Sequence, residues 1–203
     1  MKLDKIVTMK TGKNFSRNKS TKEEVVPYTY EDLIQDLSEF APYQSNETAQ
    51  EIITRSDSNS EDDSYLVSAG DVIFSFVSST AGIVSKSSEG KALNQNFAKL
   101  IIENQQLDPR YLCYCLNQSS HLKRQMAVAM QGSTLRRLTP SSLRALDIPI
   151  VDFSQQQSIG HAYFSLLKRQ YLLEREMQQE EEFVLALLET QLESKTTQEE
   201  NNG

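Results

Sequence analysis

The longest regular pattern in the chain is a heptad repeat of apolar residues towards the C-terminus. Between Ser154 and about Lys195 the sequence has no proline, and one heptad frame holds apolar residues at most of its core positions. A helix of this length spans roughly 60 Å at about 1.5 Å per residue, and it needs a partner along its apolar stripe. The pattern therefore predicts a helix that dimerises through Ile159, Tyr163, Leu166, Leu173, Met177, Val184 and Leu187.

The strongest β pattern lies in the middle of the chain. Residues 72–77 form an almost continuous apolar run, and the polar turn after it leads to Ile83 and Val84, which predicts a β-hairpin. Residues 97–102 predict another strand behind a cluster of asparagine and glutamine. Shorter apolar stretches predict three more strands, at residues 5–9, 25–30 and 146–151.

Helical patterns flank this β region. Residues 30–40 carry leucine and isoleucine at helical spacing, which predicts a short amphipathic helix. Asp108-Pro109 is typical of a helix start, and the helix is predicted to continue to about Met130. Thr139, with a proline directly after it, predicts the hydroxyl cap of another short helix.

The long C-terminal helix also has a predicted start, because Ser154 followed by Gln157 resembles a capping box. Taken together, the patterns predict an α+β fold class, with a mixed β-sheet and flanking helices in residues 1–152. One long coiled-coil helix follows in residues 153–195. Residues 196–203 are predicted to form a disordered tail.

The net charge of −7 alone argues against a nucleic-acid partner, but the distribution of charge does not. Residues 1–22 carry +6 and residues 64–150 carry +4, whereas residues 23–63 carry −11 and residues 151–203 carry −6. The two basic blocks form one nucleic-acid-binding patch if the fold brings them together. Mixed charge blocks also occur in many soluble proteins, so charge alone leaves both interpretations open.

The cysteines and the hydropathy of the chain bear on its compartment. Cys113 and Cys115 lie two residues apart on a predicted helix and point to different faces, so no disulfide between them is expected. They are interpreted as buried thiols of a cytoplasmic protein. No apolar run approaches the ~18 residues of a membrane span, and the N-terminus lacks the apolar core of a signal peptide, so no membrane partner is predicted.

The sequence gives little support to a catalytic or metal site. It has no glycine-rich cofactor loop and no nucleophile-elbow motif, and His121 and His161 lack the spacing of a zinc site. Asp71 with Glu89 and Lys91 has the loose form of a nuclease metal site, but the last two lie in a turn rich in serine and glycine. We therefore expect a non-catalytic protein without cofactor or metal.

Six short motifs occur in an order that resembles one half of the DNA-specificity subunit of type I restriction–modification systems. Each motif is weak alone, and the specificity of the resemblance comes from their order and spacing over most of the chain. The segments are KLDKIVTMKTGKNFSR at 2–17, GDVIFS at 70–75, LNQNFAKLII at 93–102, LDPRYLCYCL at 107–116, GST at 132–134 and SSLRALDIPI at 141–150.

The resemblance implies a target-recognition domain in residues 1–152, followed by a helix that serves as dimerisation element and spacer. Full-length members of the family have two such domains, separated by an antiparallel pair of long helices. This chain has one of each, so the resemblance implies a half-subunit that forms a homodimer through its helix. The implied partners are double-stranded DNA, a methyltransferase (modification) subunit and a restriction subunit. The acidic block at residues 23–63 is expected to lie away from DNA.

The resemblance also implies which loops contact DNA. Basic residues near the N-terminus are expected to hold phosphates, which position the protein without reading sequence. Amide side chains pair with adenine and arginine pairs with guanine, although asparagine and glutamine are also ordinary turn residues. Phosphate contacts are expected from Lys10, Lys13, Arg17 and Lys19. Base-reading loops are expected to include Ser78, Ser79, Thr80, Asn94, Gln95, Asn96, Gln131, Ser133, Thr134, Arg136 and Arg137.

Three further interpretations are compatible with the same sequence. The chain is a non-DNA assembly or adaptor module built on its coiled coil, a silent specificity cassette that acts only after recombination with another half, or a metal-dependent nuclease. A steep dependence of DNA affinity on salt separates DNA binding from the first two. Cleavage with magnesium alone that is lost in Glu89→Ala identifies the third.

Overall fold

The computed structural model describes residues 1–14, 26–39, 65–103, 106–131 and 137–200, with side chains described as far as Gln191. The predictions for most of the acidic block, from residue 40 to residue 64, lie outside the described residues, and so do those for residues 201–203. Five predicted DNA contacts also lie outside them: Arg17, Lys19, Ser133, Thr134 and Arg136.

One four-stranded sheet forms the centre of the domain, and the α+β class is confirmed. Its strands are β1 (Val7–Thr11), β2 (Val72–Ser75), β3 (Thr80–Ile83) and β4 (Phe97–Ile102), in the order β1-β4-β2-β3. Every pairing between these strands is antiparallel. Parallel pairing among the described residues is confined to the isolated bridges Lys13–Asn94 and Pro27–Ala92, so the sheet is antiparallel rather than mixed.

Both faces of the sheet are buried, which explains the continuous apolar run in β2. Val72 and Phe74 point into the larger core, on the face covered by the C-terminal helices, whereas Ile73 points into a smaller core on the other face. Tyr28 and Leu33 complete the smaller core. A single strand therefore contributes to two cores, because successive side chains alternate between the faces.

The described residues form five α-helices and two short 3-10 helices around the sheet. The second helix starts at Asp108-Pro109 as predicted, and Asp108 is its N-cap, because its carboxylate accepts the backbone N–H groups of Arg110 at 2.8 Å and Tyr111 at 3.0 Å. The Thr139 hydroxyl accepts the Ser142 N–H at 3.1 Å and caps the fourth. The helices are α1 (Tyr30–Glu39), α2 (Pro109–Gln118), α3 (Ser120–Ala129), α4 (Pro140–Arg144) and α5 (Phe153–Glu200), and the 3-10 helices are Leu3–Lys5 and Lys86–Ser88.

The single helix predicted from Asp108 to Met130 is wrong, because the chain breaks at Ser119. Ser119 has the extended backbone angles φ −57° and ψ 120°, so α2 ends there and α3 begins. A straight helix of about 22 residues would be roughly 33 Å long, longer than any strand of this sheet. The break instead returns Leu122 and Met126 to the larger core.

Two of the predicted strands are reduced to isolated bridges. The stretches 25–30 and 146–151 both contain a proline, which lacks the N–H group needed to continue a β-ladder. Their remaining pairings are the bridges Pro27–Ala92 and Lys2–Asp147.

The other strand predictions differ from the structure only at their boundaries. β1 lies two residues later than predicted, and the return strand of the hairpin begins at Thr80 instead of Ile83. The strand at residues 97–102 is confirmed, as is the helix that begins at Tyr30.

The long helix is confirmed and extends further than predicted. α5 begins at Phe153, one residue before the predicted cap, and ends at Glu200. Its first turns pack against the domain, where Tyr163 and Phe164 are buried and Ile159 is half-buried. Ile159 and Tyr163, which were predicted to face a dimer partner, thus contact the core of their own chain, because the helix needs an apolar anchor at its base.

A glycine and a glutamine hold α5 against the start of α2. A Cβ atom on Gly160 would lie 2.7 Å from Cβ of Arg110 and 2.9 Å from the backbone nitrogen of Tyr111, so the two helices approach as closely as their backbones permit. The buried Gln156 accepts the Asp108 N–H at 3.1 Å through Oε1. The base of α5 is therefore part of the domain.

Candidate nucleic-acid interface

Three loops that are distant in the sequence meet at one end of the sheet. β1 and β2 end there, at Thr11 and Ser75, while β3 and β4 begin there, at Thr80 and Phe97. We call this the loop end, and it consists of residues 12–14, 76–79 and 94–96. The antiparallel register thus brings together the predicted contact residues Lys13, Ser78, Ser79, Asn94, Gln95 and Asn96, with Lys10 and Thr80 on the adjoining strand ends.

Backbone hydrogen bonds join the loops to one another. The Lys13 N–H donates to the Leu93 carbonyl at 3.0 Å, and the Phe76 N–H donates to the Asn96 carbonyl at 2.8 Å. Between them, a Cβ atom on Gly12 would lie 2.3 Å from the backbone carbonyl oxygens of Leu93 and Asn94. Only glycine permits this approach, so Gly12 is a residue of the site that the sequence patterns do not single out.

The two described lysines of the phosphate-binding prediction have different surroundings. Lys10 is exposed on β1, opposite Lys99, whose charge is paired with Asp71 at 2.6 Å. The Lys13 ammonium lies 3.9 Å from the centroid of the Tyr65 ring, a cation–π contact that orients the side chain. The sequence did not predict Tyr65 as part of the site, because an aromatic residue next to an acidic loop does not by itself indicate a binding residue.

The amide cluster combines a turn with an available side chain. Asn94 is committed to the turn, since its Oδ1 accepts the Asn96 N–H at 2.8 Å. Gln95, in contrast, is exposed, and Asn96 is half-buried. Gln95 is therefore the member of the cluster that is best placed to contact a ligand.

The serine turn of the hairpin is conformationally unusual. Ser79 has φ of 55°, the only positive φ at a non-glycine position among the described residues. The Thr80 hydroxyl donates to the Ser78 carbonyl at 3.3 Å. The Ser78 hydroxyl oxygen is buried and has no hydrogen-bond partner within the described part of the chain, which is rare for a buried polar group.

A cleft of about 330 Å³ separates this serine turn from α3. Met126 and Met130, from α3 and its C-terminal end, line the cleft, and so does Tyr163 of α5. Gln131 directly follows Met130 and is exposed, so the start of the predicted 131–137 loop lies near the serine turn. Arg137 is exposed two residues before the Thr139 cap.

Asn117, on α2, connects the edge strand β3 of the hairpin to Tyr163 of α5. Its Oδ1 accepts the Ala81 N–H at 2.7 Å, and its Nδ2 donates to the Ala81 carbonyl at 2.8 Å and to the Tyr163 hydroxyl at 3.1 Å. The two bonds to Ala81 satisfy its backbone N–H and carbonyl groups on the open edge of β3. Burial raises the pKa of Tyr163, so its hydroxyl stays protonated within this connection. Neither periodicity nor composition indicates this role of Asn117.

The described acidic residues of α1 lie at the other end of the sheet, which we call the α1 end (residues 84–91 with α1). The Asp36 carboxylate is fully buried and accepts the hydroxyls of Tyr28 at 2.7 Å, Ser85 at 2.6 Å and Ser88 at 2.9 Å. Asp32 pairs with Lys91 at 2.7 Å. Asp36 therefore lies beside the segment that follows β3, at the end of that strand opposite the loop end.

The nuclease-like arrangement is not assembled in the described part of the chain. The Asp71 carboxylate is engaged by Lys99 and by the Ser68 N–H at 2.7 Å, and no group of three or more metal-ligating side chains is found among the described residues. Both cysteines are free and buried, and burial raises the pKa of the Cys115 thiol to about 11. None of the described helices is both long and apolar enough to cross a bilayer.

Comparison with known proteins identifies relatives for most of the chain. Residues 1–182 match the family model of the type I restriction modification DNA specificity domain. No curated protein matches the chain.

Two solved structures are similar in fold. The HsdS subunit from Thermoanaerobacter tengcongensis is 14% identical with a TM-score of 0.50, and the match covers 88% of this chain and 39% of that one. A chain from a structure that describes complex assembly and conformational transition of the type I restriction–modification system is 16% identical with a TM-score of 0.54, covering 93% and 42%. The chain thus spans about two fifths of the length of the structures it matches.

Proposed function

Because the chain belongs to the type I restriction–modification DNA specificity family, we propose that its loop end binds double-stranded DNA and selects a particular sequence. As a specificity subunit, it directs a methyltransferase and restriction complex to a bipartite site and is itself non-catalytic. The observation that carries the proposal is the meeting of three distant loops at the sheet end that faces away from the described acidic residues of α1.

The contacts divide between positioning and reading. Lys10 and Lys13 hold phosphates and fix the register of the protein on the duplex. Gln95 reads a base edge, because its amide is exposed whereas that of Asn94 is used by the turn. Gln131, directly after Met130, and Arg137 are exposed and extend the reading surface beyond α3.

We also propose that the outer part of α5 joins two copies of the chain. The apolar side chains at its heptad positions Leu173, Met177, Val184 and Leu187 are between 46% and 70% exposed. An apolar stripe of this length is seldom left in water. Two copies related by a twofold axis carry identical recognition domains, so the homodimer reads identical half-sites of a split palindrome, and α5 sets the gap between them.

A series of DNA duplexes with different gaps between the half-sites tests whether α5 sets that gap. The full chain is mixed with the methyltransferase subunit, and affinity is measured by gel shift at each gap length. We expect one preferred gap with a steep loss on either side. Equal affinity at every gap length would contradict the proposed role of α5.

Two adjacent leucines test the dimer directly. Leu173 belongs to the heptad stripe, whereas Leu172 points about 100° away from it, and the two side chains are 49% and 51% exposed. Leu173→Glu is expected to halve the molecular mass in solution, and Leu172→Glu is expected to leave it unchanged. Equal behaviour of the two variants would contradict a dimer along this stripe.

A second candidate function is an assembly or adaptor module that does not bind DNA. The exposed stripe of α5 favours it, since this feature requires a partner but not a nucleic acid. The salt dependence of DNA affinity distinguishes the two functions, because each phosphate contact contributes to the slope. Absence of measurable DNA binding with the methyltransferase subunit present would favour the adaptor or a silent cassette.

A further inference from the structure

We propose that the cleft between the serine turn and α3 binds a phosphate of the DNA backbone, with Lys123 as the cation that holds it. This inference rests on the proposed DNA-binding function and adds a contact residue outside the loops described above. The cleft opens beside the loop end, since its lining includes Ser78, Ser79 and Thr80.

The charge of the cleft fits an anion. Lys123 is exposed on α3, lines the cleft and is the single charged residue among the described residues that do so. Its ammonium group donates to Oε1 of Gln118 at 3.1 Å, a neutral partner that orients the lysine without cancelling its charge. The described part of the cleft wall contains no carboxylate to compete with an incoming anion.

The serine turn supplies neutral donors. Ser78, Ser79 and Thr80 line the cleft together with Lys123. The Thr80 hydroxyl donates to the Ser78 carbonyl at 3.3 Å, so the Ser78 and Ser79 hydroxyls are the donors that remain for a ligand. The Ser78 hydroxyl is buried and has no hydrogen-bond partner within the described residues, and the turn is held in a left-handed conformation at Ser79. A phosphate oxygen is an acceptor that satisfies such a donor, and turn backbone in this conformation is common where a ligand is bound.

A base fits the cleft less well than a phosphate. The single aromatic ring in its described lining belongs to Tyr163, which is 8% exposed and whose hydroxyl is bonded to Asn117, so no ring face is open for stacking. The Asn117 amide is used by the backbone of Ala81 and is not available to read a base edge. A phosphate needs neither feature, only a cation and hydroxyl donors.

The test is the salt dependence of DNA affinity in the complex of the full chain with its methyltransferase subunit. Neutralising one phosphate contact lowers the slope of log K against log salt by about 0.9. We expect Lys123→Gln to lower the slope by this amount and to weaken cognate and altered sites by the same factor. Lys123→Arg is expected to restore the slope.

Lys86→Gln is the matched control, because Lys86 is an exposed lysine at the α1 end. It removes the same charge from the protein and is expected to leave the slope unchanged. An unchanged slope in Lys123→Gln, or an equal change in Lys86→Gln, would overturn the phosphate site while DNA binding itself stands. Absence of DNA binding by the unaltered complex would overturn the proposed function and this inference together.

Discussion

The two ends of the sheet differ in how their polar groups are used. At the α1 end, the buried Asp36 carboxylate accepts three hydroxyls, and Asp32 is paired with Lys91. At the loop end, the Gln95 amide is exposed and the Ser78 hydroxyl has no partner among the described residues. Polar groups that are internally satisfied stabilise a fold, whereas polar groups left without internal partners are available to a ligand.

The difference also separates the charges of the molecule. Asp32, Asp36 and Glu39 of α1 are held at one end by hydroxyls and a lysine. Lys10 and Lys13 lie near the end of β1 and in its following loop, towards the other end. The overall charge of −7 is therefore a poor guide to the partner, because the acids that α1 buries or pairs at one end of the sheet count towards it as fully as exposed charges do.

The largest effect on stability is expected at the α1 end. Asp36→Ala removes the acceptor of the Tyr28 and Ser88 hydroxyls, whereas the Ser85 hydroxyl keeps an acceptor in the Glu39 carboxylate at 3.1 Å. Because a hydrogen bond to a charged group contributes about 1.5–3 kcal/mol, the free energy of unfolding, measured with urea, is expected to fall by at least about 3 kcal/mol. Glu31→Ala, an exposed change on the same helix, is expected to cost less than about 1 kcal/mol. Equal losses would show that the buried carboxylate has no special role.

A smaller loss of stability, coupled to a loss of DNA binding, is expected at the loop end. Gly12→Ala forces a Cβ against two carbonyl oxygens at 2.3 Å and should lower the free energy of unfolding by about 2 kcal/mol. It also separates Lys13 from Asn94, so DNA affinity in a gel shift should fall.

Gly90→Ala is the control for this prediction at the α1 end. Gly90 has φ of 83°, and the Cβ atom of an alanine there would have no neighbour within 4 Å. The substitution therefore introduces backbone strain of about 1 kcal/mol without a clash. DNA affinity is expected to remain unchanged. A loss of affinity equal to that of Gly12→Ala would mean that the two ends are not functionally distinct.

A change in specificity without a change in folding is expected at Gln95. Gln95→Ala removes an exposed amide, and the discrimination between the cognate site and sites with one altered base should fall by about 1–3 kcal/mol. The slope of affinity against salt should not change, because no phosphate contact is lost. In contrast, Asn94→Ala should mainly lower the free energy of unfolding, since its amide closes the turn. Unchanged discrimination in Gln95→Ala would remove this residue from the reading surface.

The smallest effect is a dependence of stability on acid at the α1 end. Burial alone would raise the pKa of Asp32, but hydrogen bonds from Lys91 and Thr29 outweigh it, so the pKa is lowered from 3.8. A carboxyl with a lowered pKa in the folded state stabilises the protein above its unfolded pKa, and this contribution is lost as pH falls through the folded pKa. Urea midpoints measured from about pH 6 down to about pH 2 should therefore fall less in Asp32→Asn than in the unaltered protein. An equal fall of the urea midpoint with pH in both proteins would contradict the proposed contribution of the Asp32 carboxylate.

Much of the architecture follows from local patterns. The continuous run at 72–77 predicts a buried strand, Asp108 ahead of Pro109 predicts a capped helix, and the heptad repeat predicts a long helix. One departure from the local pattern, the break within the predicted helix at residues 108–130, has a reason in the tertiary structure. Ser119 breaks a helix because the larger core requires Leu122 and Met126 to return to it.

The candidate site was predictable only in part. Lys13 and Gln95 carry a signal in the sequence, because basic and amide residues in loops are typical of nucleic-acid contacts. Gly12, Asn117 and Lys123 do not, since their importance depends on distances to residues that are remote in the chain. Hydropathy and spacing report which face of an element is buried, but they do not report what lies opposite it.

By itself, the sequence determined the α+β class, the positions of the main elements and the stripe along α5, because these depend on periodicity within one segment. Only the tertiary structure decided that three loops share one end of the sheet and that the described acids of α1 occupy the other. It also decided that Ile159 and Tyr163 anchor α5 to its own domain, leaving the stripe from Leu166 onwards exposed. The physical reason is that strand order and register, which no single segment encodes, determine which distant residues meet.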